Sequence, residues 1–309
     1  MPNCHLILDS CCDLPVDLLL RDDVRLLKFP YIVDGGTFED DLFQTTSAHD
    51  FYELMRKGTE PSTAQLSVPQ LTEVFTAAAE EGMPAVYLSF TSGLSGSYDA
   101  AVLVRDQILK EYPDFQLYVV DTKLPSIAEG VLVYEALRQM DKGLSAKELA
   151  DWAEEARYFV DCEFMVEDLE ALRRGGRIPS GVAVAGSKLD VKPLLTVDNI
   201  TGKLQLVGVA RGRKKGIKAL AEYFEKNIAE DDLSHYCILG SADADKDLQR
   251  LRDAITKIDE NIYIVEASIG PVIGTHVGPG MLAVAFWGSD QREKLSVADR
   301  IARRVKGGK

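Results

Sequence analysis

The chain has 309 residues, of which 46% are hydrophobic and 27% are charged, and its formal net charge is −14. This length and apolar content predict two globular domains, each with its own core, and argue against a disordered chain. The negative charge argues against nucleic acid as a partner, because neutralising phosphates requires a net basic face.

The start of the chain has no basic segment followed by a long apolar stretch, and no apolar run approaches the length of a membrane span. We therefore expect a cytoplasmic protein without membrane insertion. The five cysteines include no C-x-x-C pair and indicate reduced thiols. Cys11-Cys12, near Cys4 and His5, matches no common zinc spacing, so we expect no metal.

The first half of the chain alternates predicted strands with predicted helices. Apolar runs predict strands over residues 5–9, 85–90 and 115–121. Helix starts resembling capping boxes are indicated at Ser47 with Asp50, at Ser67 with Gln70 and at Ser145 with Glu148. This order of elements predicts a parallel α/β sheet.

The second half is richer in strands, which are predicted over residues 159–166, 204–209, 236–239, 262–265 and 281–287. We therefore predict an α/β domain over 1–158 and a mixed α+β domain over 159–309. Basic residues within 211–218 are predicted to open a helix, where the helix dipole disfavours positive charge. They indicate either an anionic partner or a solvated face.

A serine-rich loop follows the predicted strand 85–90 and precedes a helical pattern. Hydroxyls and free N–H groups at a helix start favour a carboxylate or phosphate, which predicts an anion site. The loop includes Gly93-Leu94-Ser95-Gly96-Ser97, in which Ser97 stands where a nucleophile elbow requires glycine. Neither a P-loop nor a dinucleotide-binding motif is present, so we expect no bound cofactor.

One histidine lies in a segment rich in glycine and proline. Residues 270–280 contain four glycines and two prolines around His276 and precede the predicted strand 281–287. Such a backbone predicts that His276 is held on a rigid loop at a functional site. The alternative is a plain turn with a hydrogen-bonded surface histidine.

In order and spacing, several motifs resemble those of the DegV family over nearly the whole chain. They are Leu8-Asp9-Ser10 with Asp13-Leu14-Pro15, Pro61-Ser62-Thr63-Ala64-Gln65, Ser92-Gly93-Leu94-Ser95-Gly96-Ser97-Tyr98, Val120-Asp121-Thr122, Arg173-Arg174-Gly175-Gly176-Arg177, Val191-Lys192-Pro193-Leu194-Leu195 and Gly274-Thr275-His276-Val277-Gly278-Pro279-Gly280.

The resemblance implies a two-domain protein that binds one long-chain fatty acid in a tunnel at the domain interface. It also implies that this chain alone catalyses nothing and presents the carboxylate to a separate ATP-binding kinase subunit, which forms an acyl phosphate for phospholipid synthesis. The family's carboxylate contacts fall on Thr63, Ser95 and His276, and its partner contacts fall on Arg177 and Arg211. The residues that would support the site are Ser92, Gly93, Gly96, Gly274, Thr275 and Gly278.

The chain departs from the family pattern at a few positions. Thr63-Ala64-Gln65-Leu66 replaces a Thr-Ser-Gln-Pro sequence, Cys11-Cys12 replaces a small residue, and Glu129 stands in a stretch that is usually small and apolar. None of these changes affects the three expected carboxylate contacts.

Two other functions remain open from the sequence. Ser95 and His276 are the residue types of a nucleophile and a base in a hydrolase or acyltransferase, with Asp9 or Asp121 as the orienting acid. The chain could also carry another amphipathic carboxylate, because the shape of the tunnel depends on tertiary packing.

Overall fold

The computed structural model describes residues 3–178, 190–229 and 235–293. Up to residue 158, the helices and strands in chain order are β1 (His5–Asp9), β2 (Val24–Leu27), β3 (Pro30–Val33), β4 (Gly36–Glu39), α1 (Ala48–Arg56), β5 (Ser62–Thr63), α2 (Val68–Glu81), β6 (Ala85–Ser89), α3 (Ser97–Glu111), β7 (Leu117–Asp121), α4 (Ile127–Asp141) and α5 (Ala146–Ala156).

After a 3₁₀ helix at Arg157–Phe159, the chain enters a second set of elements. These are β8 (Val160–Met165), α6 (Glu170–Arg174), β9 (Val191–Asp198), β10 (Lys203–Arg211), α7 (Arg213–Asn227), β11 (Tyr236–Ser241), α8 (Asp245–Ile258), β12 (Tyr263–Ser268), α9 (Pro271–Val277) and β13 (Leu282–Trp287). The predicted domain boundary between 158 and 159 falls within this 3₁₀ helix and stays a prediction.

The main sheet of the N-terminal part has the strand order β2-β1-β6-β7, and its strand pairs are parallel. The predicted parallel α/β sheet is therefore confirmed. A small antiparallel sheet, β4-β3-β5, lies beside it and was not predicted, because its strands are short and largely exposed.

The C-terminal part is built on a mixed sheet with the order β10-β9-β8-β13-β11-β12. Its strand pairs are antiparallel except for β11 and β12, which confirms the mixed α+β prediction. β13 lies at the centre of this sheet and is buried along its whole length, as its uninterrupted apolar sequence requires.

Three helix starts are fixed by the predicted serine caps. The Ser47 hydroxyl accepts a hydrogen bond from the Asp50 N–H, and complete capping boxes form at Ser67 with Gln70 and at Ser145 with Glu148. These helices therefore begin where the local sequence predicts.

Two local predictions were wrong. His276 lies on helix α9, near its C-terminal end, and not on a loop. Pro271 occupies the first turn of this helix, where a missing N–H costs no hydrogen bond. Gly274 lies in the middle of the helix, and a glycine is needed there because a Cβ would overlap the ring of Tyr52. Arg211 ends strand β10, opposite Val191, and does not open a helix, since α7 begins only after Gly212.

The turn between β9 and β10 packs against the serine-rich loop of the N-terminal part. The Thr91 hydroxyl donates to the Gly202 carbonyl (3.0 Å), and a Cβ on Gly93 would overlap the backbone of Gly202. The two main chains therefore touch directly, which fixes the C-terminal sheet against the loop that carries Ser95.

Among the residues that the structure describes, no helix is both long enough and apolar enough to cross a bilayer.

Candidate functional site

A cavity lies between the N-terminal and C-terminal parts and receives side chains from both. Its volume is about 800 Å³ when the open mouth is included. Most of its wall is apolar, with contributions from Phe29, Phe90, Phe164, Ile273 and Met281. Polar residues also line the cavity, and they include Thr63, Gln65, Ser95, Ser126, Arg177 and His276.

His276 and Thr63 contact each other directly in this cavity. Thr63 lies on β5, which pairs with β3, and its Oγ1 is 2.8 Å from Nε2 of His276 on α9. The structure thus brings together two of the three predicted carboxylate contacts, although 213 residues separate them in the chain.

The imidazole of His276 is neutral at neutral pH. Burial, together with the positive charges of Arg177 and Arg174, lowers its pKa to about 4. Its Nδ1 is buried and makes no hydrogen bond within the described residues. A neutral ring carries a single N–H, so the hydrogen-bonding role of Nε2 depends on the tautomer.

Because Gly175 has no side chain, the imidazole of His276 can occupy the space beside it. A Cβ at this position would overlap Nδ1 of His276, whereas the φ of Gly175 is −74°, which any residue adopts. Glycine is therefore needed here for space and not for backbone conformation. The sequence alone did not predict this role for Gly175. The only sequence feature that pointed to it was the Gly175-Gly176 pair before Arg177.

Ser95 belongs to a chain of hydrogen bonds that ends in the cavity. The Leu66 N–H donates to the Ser97 Oγ (3.0 Å), and the Ser97 N–H donates to the Ser95 Oγ (3.2 Å). The two serine oxygens are 3.0 Å apart. Since Ser97 already accepts from Leu66, its hydroxyl can donate to Ser95, and the Ser95 O–H is then free to donate into the cavity.

Ser97 was not assigned a role by sequence reasoning, although it is fully buried and holds Ser95. The signal was present, because Ser97 is the residue that breaks the hydrolase motif. A hydroxyl at this position provides a hydrogen bond that the glycine of a nucleophile elbow would not.

The expected supporting residues surround the site without lining the cavity. The Ser92 N–H donates to Asp121 Oδ1 (3.1 Å), and the Thr275 hydroxyl donates to the Pro271 carbonyl within α9 (2.8 Å). Gly96 lies against Gln65, and Gly278 has a positive φ of 77° where α9 ends. These contacts, with those of Gly93 and Gly274, hold the segments that carry Ser95 and His276.

Of the two arginines expected to contact a partner, only Arg177 lines the cavity. Its Nε donates to the Leu94 carbonyl (3.2 Å) and its Nη1 to the Gly175 carbonyl (2.6 Å), so it lies between the Ser95 loop and α6. Arg211 is exposed on β10, an edge strand, away from the cavity wall.

The contacts of a serine hydrolase are not assembled. Nε2 of His276 is bonded to Thr63, and within the described chain no acid contacts Nδ1. Asp9 instead accepts from the Tyr87 hydroxyl (2.9 Å) and the Phe90 N–H (2.8 Å). Asp121 accepts from Ser92, so neither candidate acid orients the imidazole.

Metal-ligating side chains converge at one surface position in the described ranges. His49, Glu53 and Asp243 have donor atoms within 4.8 Å of one another. The guanidinium of Arg56 bridges Glu53 and Asp243, so a cation already neutralises both carboxylates. The buried thiols of Cys4, Cys11 and Cys12 form no such group.

Comparison with known proteins gives a consistent result. A family model described as an uncharacterised protein of the DegV family matches residues 3–288. A DegV domain-containing protein of Clostridium perfringens is 34% identical over 280 residues, which cover 91% of this chain and 96% of the relative.

Solved structures match over a similar length. One is the structure of a DegV family protein from Thermus thermophilus, whose description reports fatty acid binding. It has a TM-score of 0.81 and 27% identity, and the match covers 94% of this chain and 100% of the other. Another, the Fatty Acid Kinase (Fak) B3 protein of Streptococcus pneumoniae loaded with linoleic acid, has a TM-score of 0.80 and 20% identity, with coverages of 92% and 99%. At that identity, the second likeness shows the fold alone.

Proposed function

Because the chain belongs to the DegV family, we propose that it binds one long-chain fatty acid and presents the carboxylate to a separate kinase subunit. The hydroxyls of Thr63 and Ser95 hold the carboxylate, His276 supports this network through its hydrogen bond to Thr63, and the acyl chain fills the apolar part of the cavity. The observation that carries this proposal is that two hydroxyl groups reach an apolar cavity, each oriented by a polar neighbour.

The tautomer of His276 determines whether the Thr63 hydroxyl can donate a hydrogen bond to the ligand. If Nε2 carries the proton and donates to Thr63 Oγ1, the Thr63 hydroxyl is free to donate to a carboxylate oxygen. The other tautomer would bury an unpaired N–H at Nδ1 and would use up the Thr63 hydroxyl. We therefore assign the proton to Nε2, so that Thr63 and Ser95 both donate to the ligand.

A buried carboxylate needs such donors, because losing its hydrogen bonds to water costs several kcal/mol. Each hydrogen bond to a charged group returns about 1.5–3 kcal/mol. Arg177 adds a positive charge close to His276. The tail supplies most of the affinity, at about 0.8 kcal/mol per buried CH₂, so the head contacts chiefly fix orientation.

The kinase chemistry belongs to the partner in this proposal. The carboxylate oxygen attacks the γ-phosphorus of ATP, an O–P bond forms, the bond to the β–γ bridging oxygen breaks, and ADP leaves. This chain has no P-loop for the nucleotide. Its part is to bind the fatty acid and hold the carboxylate at the mouth of the cavity, in the cytoplasm, for phospholipid synthesis.

The first test is native mass spectrometry of the purified chain, followed by extraction and identification of any bound small molecule. We expect a long-chain fatty acid at equal stoichiometry. Another amphipathic carboxylate would replace the fatty acid in the proposal. A bare protein that also takes up neither palmitate nor oleate would overturn it.

The head contacts are tested with the double variant Thr63→Ala/Ser95→Ala. We expect its affinity for palmitate to fall by about 3 kcal/mol, since two hydrogen bonds to a charged group are lost. Ser62→Ala is the matched control, because Ser62 is the exposed neighbour of Thr63 on β5. Equal affinities in all three proteins would contradict the carboxylate assignment.

A further inference from the structure

A third hydroxyl-bearing residue lines the cavity, away from the proposed carboxylate site. Among the described residues of the cavity wall, Thr63, Ser95 and Ser126 carry hydroxyl groups. Ser126 directly precedes α4, and its neighbours Pro125 and Ile127 also line the cavity. The proposed function gives a task to Thr63 and Ser95 but none to Ser126.

Ser126 stands at the N-cap position of α4 but does not cap the helix. A serine at this position usually accepts a hydrogen bond from a backbone N–H of the first turn. Here no such bond forms, and the Ser126 hydroxyl is bonded to Oδ2 of Asp13. Asp13 is buried and does not line the cavity, so Ser126 lies between the cavity and this buried carboxyl group.

The backbone of Ser126 has a conformation that favours glycine. Its φ is 56° and its ψ is −141°, a region in which a residue with a Cβ is strained. Glycine would adopt these angles without strain, so the serine side chain is present at an energetic cost. Residues held in such conformations cluster at functional sites. The strain and the bond to Asp13 together point to a task for this hydroxyl on the cavity wall.

Helix α9 separates Ser126 from the carboxylate site. Asp13 is bonded to Ser126 through Oδ2, and its Oδ1 accepts from the N–H of Gly270, directly before α9 (2.8 Å). His276 lies near the other end of this helix, and Val272 lines the cavity between them. Six helical residues rise about 9 Å. Ser126 therefore adjoins the cavity at a level that the acyl chain of the ligand reaches, and not its head group.

A hydroxyl group on the acyl chain suits this position. In an apolar cavity a hydroxyl costs free energy unless it is hydrogen-bonded. A ligand hydroxyl can both donate and accept, so it can pair with Ser126 whichever way the bond to Asp13 is oriented. Elsewhere beyond the carboxylate site, the described wall offers only apolar side chains and the thiols of Cys11 and Cys162, which are weak partners.

We propose that the cavity accepts a long-chain fatty acid with a hydroxyl group on an inner carbon, and that Ser126 binds this hydroxyl while Thr63 and Ser95 hold the carboxylate. This inference rests on the proposed function and extends its substrate class to hydroxy fatty acids. Ser126 then determines which carbon of the chain can carry the hydroxyl.

The test measures the affinity of the full chain for stearate and for a series of hydroxystearates, which differ only in the carbon that carries the hydroxyl. For the wild type we expect one inner position to bind about as tightly as stearate. Other inner positions should bind at least about tenfold more weakly, because their hydroxyl lacks a partner. Ser126→Ala should lower the affinity for the preferred hydroxystearate about fivefold and leave that for stearate unchanged.

Ser89→Ala is the matched control. Ser89 is fully buried, donates to the Phe90 carbonyl and does not line the cavity, so this variant should bind both ligands like the wild type. Ser126→Gly keeps the test decisive if Ser126→Ala does not fold, since glycine adopts a φ of 56° without strain. It should show the same selective loss of affinity.

The outcomes separate the inference from the proposed function. Binding of stearate without a preferred hydroxystearate overturns the Ser126 proposal alone. The same holds if the Ser126 variants bind stearate and the preferred hydroxystearate equally less tightly, because a general change of the cavity then explains the loss. A wild-type chain that binds neither stearate nor any hydroxystearate overturns both proposals.

Discussion

Helix α9 has a histidine near its C-terminal end and carboxyl groups at its N-terminal end. His276 is bonded to Thr63 through Nε2, and its Nδ1 makes no hydrogen bond with the described residues. At the other end, the Gly270 N–H donates to Asp13 Oδ1 (2.8 Å), and Asp40 lies close by. The histidine end faces the cavity, whereas the acid end faces the interior of the protein.

The acid end belongs to a buried acid cluster, defined here as Asp9, Asp13, Asp40 and Glu129. Burial raises the pKa of Asp9 to about 6 and that of Asp40 to about 7, and it holds the pKa values of Asp13 and Glu129 well above their ordinary values. We infer a division of tasks between the two ends. The histidine end belongs to the proposed ligand site, and the raised pKa values of the acid cluster predict a stability that depends on pH.

Gly175→Ala tests the histidine end of α9 and should have the largest effect. The added methyl group overlaps Nδ1 of His276, so the imidazole must move and its bond to Thr63 is lost. We expect palmitate affinity to fall by about 10–100-fold, or about 1.4–3 kcal/mol, with little change in the circular dichroism spectrum.

Gly208→Ala is the control, because its Cβ would meet Leu194 at an ordinary distance of 3.6 Å. Isothermal titration calorimetry of both variants gives the comparison. An unchanged affinity in Gly175→Ala would show that the position of the imidazole does not govern binding.

Glu129→Gln tests the acid cluster. Glu129 is fully buried, and neither carboxyl oxygen has a hydrogen-bond partner in the described residues. Because its pKa is raised in the folded state, ionisation costs stability only above the unfolded-state value, and the cost grows as pH rises. We expect the variant to raise the free energy of unfolding at pH 8 by about 1–3 kcal/mol, and by much less at pH 4.5.

Urea unfolding at the two pH values measures this effect, with Glu73→Gln on the exposed face of α2 as the control. A gain of equal size at both pH values would point to packing and not to charge. Palmitate affinity should stay at the wild-type value, since the cluster lies outside the cavity wall.

The smallest expected effect belongs to Ser97→Ala. This change removes the group that orients the Ser95 hydroxyl, and we expect palmitate affinity to fall by about fivefold, or about 1 kcal/mol. In the Ser95→Ala background the same change should cause no further loss of affinity, because Ser97 acts through Ser95. Additive losses in this double-mutant cycle would show that Ser97 contacts the ligand itself.

Local patterns were sufficient to predict much of the fold. β1, β6 and β7 come from apolar runs, and the helix starts at Ser67 and Ser145 come from capping boxes, whose contacts span three residues. Helix α9 was mispredicted as a loop because its glycines serve tertiary contacts: Gly274 fits against Tyr52, which is distant in the chain. A local pattern cannot reveal that contact.

The residues of the candidate site were predicted only in part, and from the family resemblance instead of from local sequence patterns. Thr63, Ser95 and His276 were carried over from the resemblance, and the structure places all three on one cavity. The roles of Gly175 and Ser97 and the apolar wall depend on which segments meet in space. The structure places Arg211 at the end of the exposed edge strand β10, and its expected contact with a partner stays a prediction.

The direct contact between Gly93 and Gly202 has a consequence for how this protein can vary through evolution. Every substitution at either position adds at least one carbon atom, and that atom would overlap the opposing backbone at Gly93 or the Thr91 side chain at Gly202. A single amino-acid substitution at either position is therefore not compatible with the present position of the β9–β10 turn. The two positions can diverge only together with a shift of the whole β9–β10 turn.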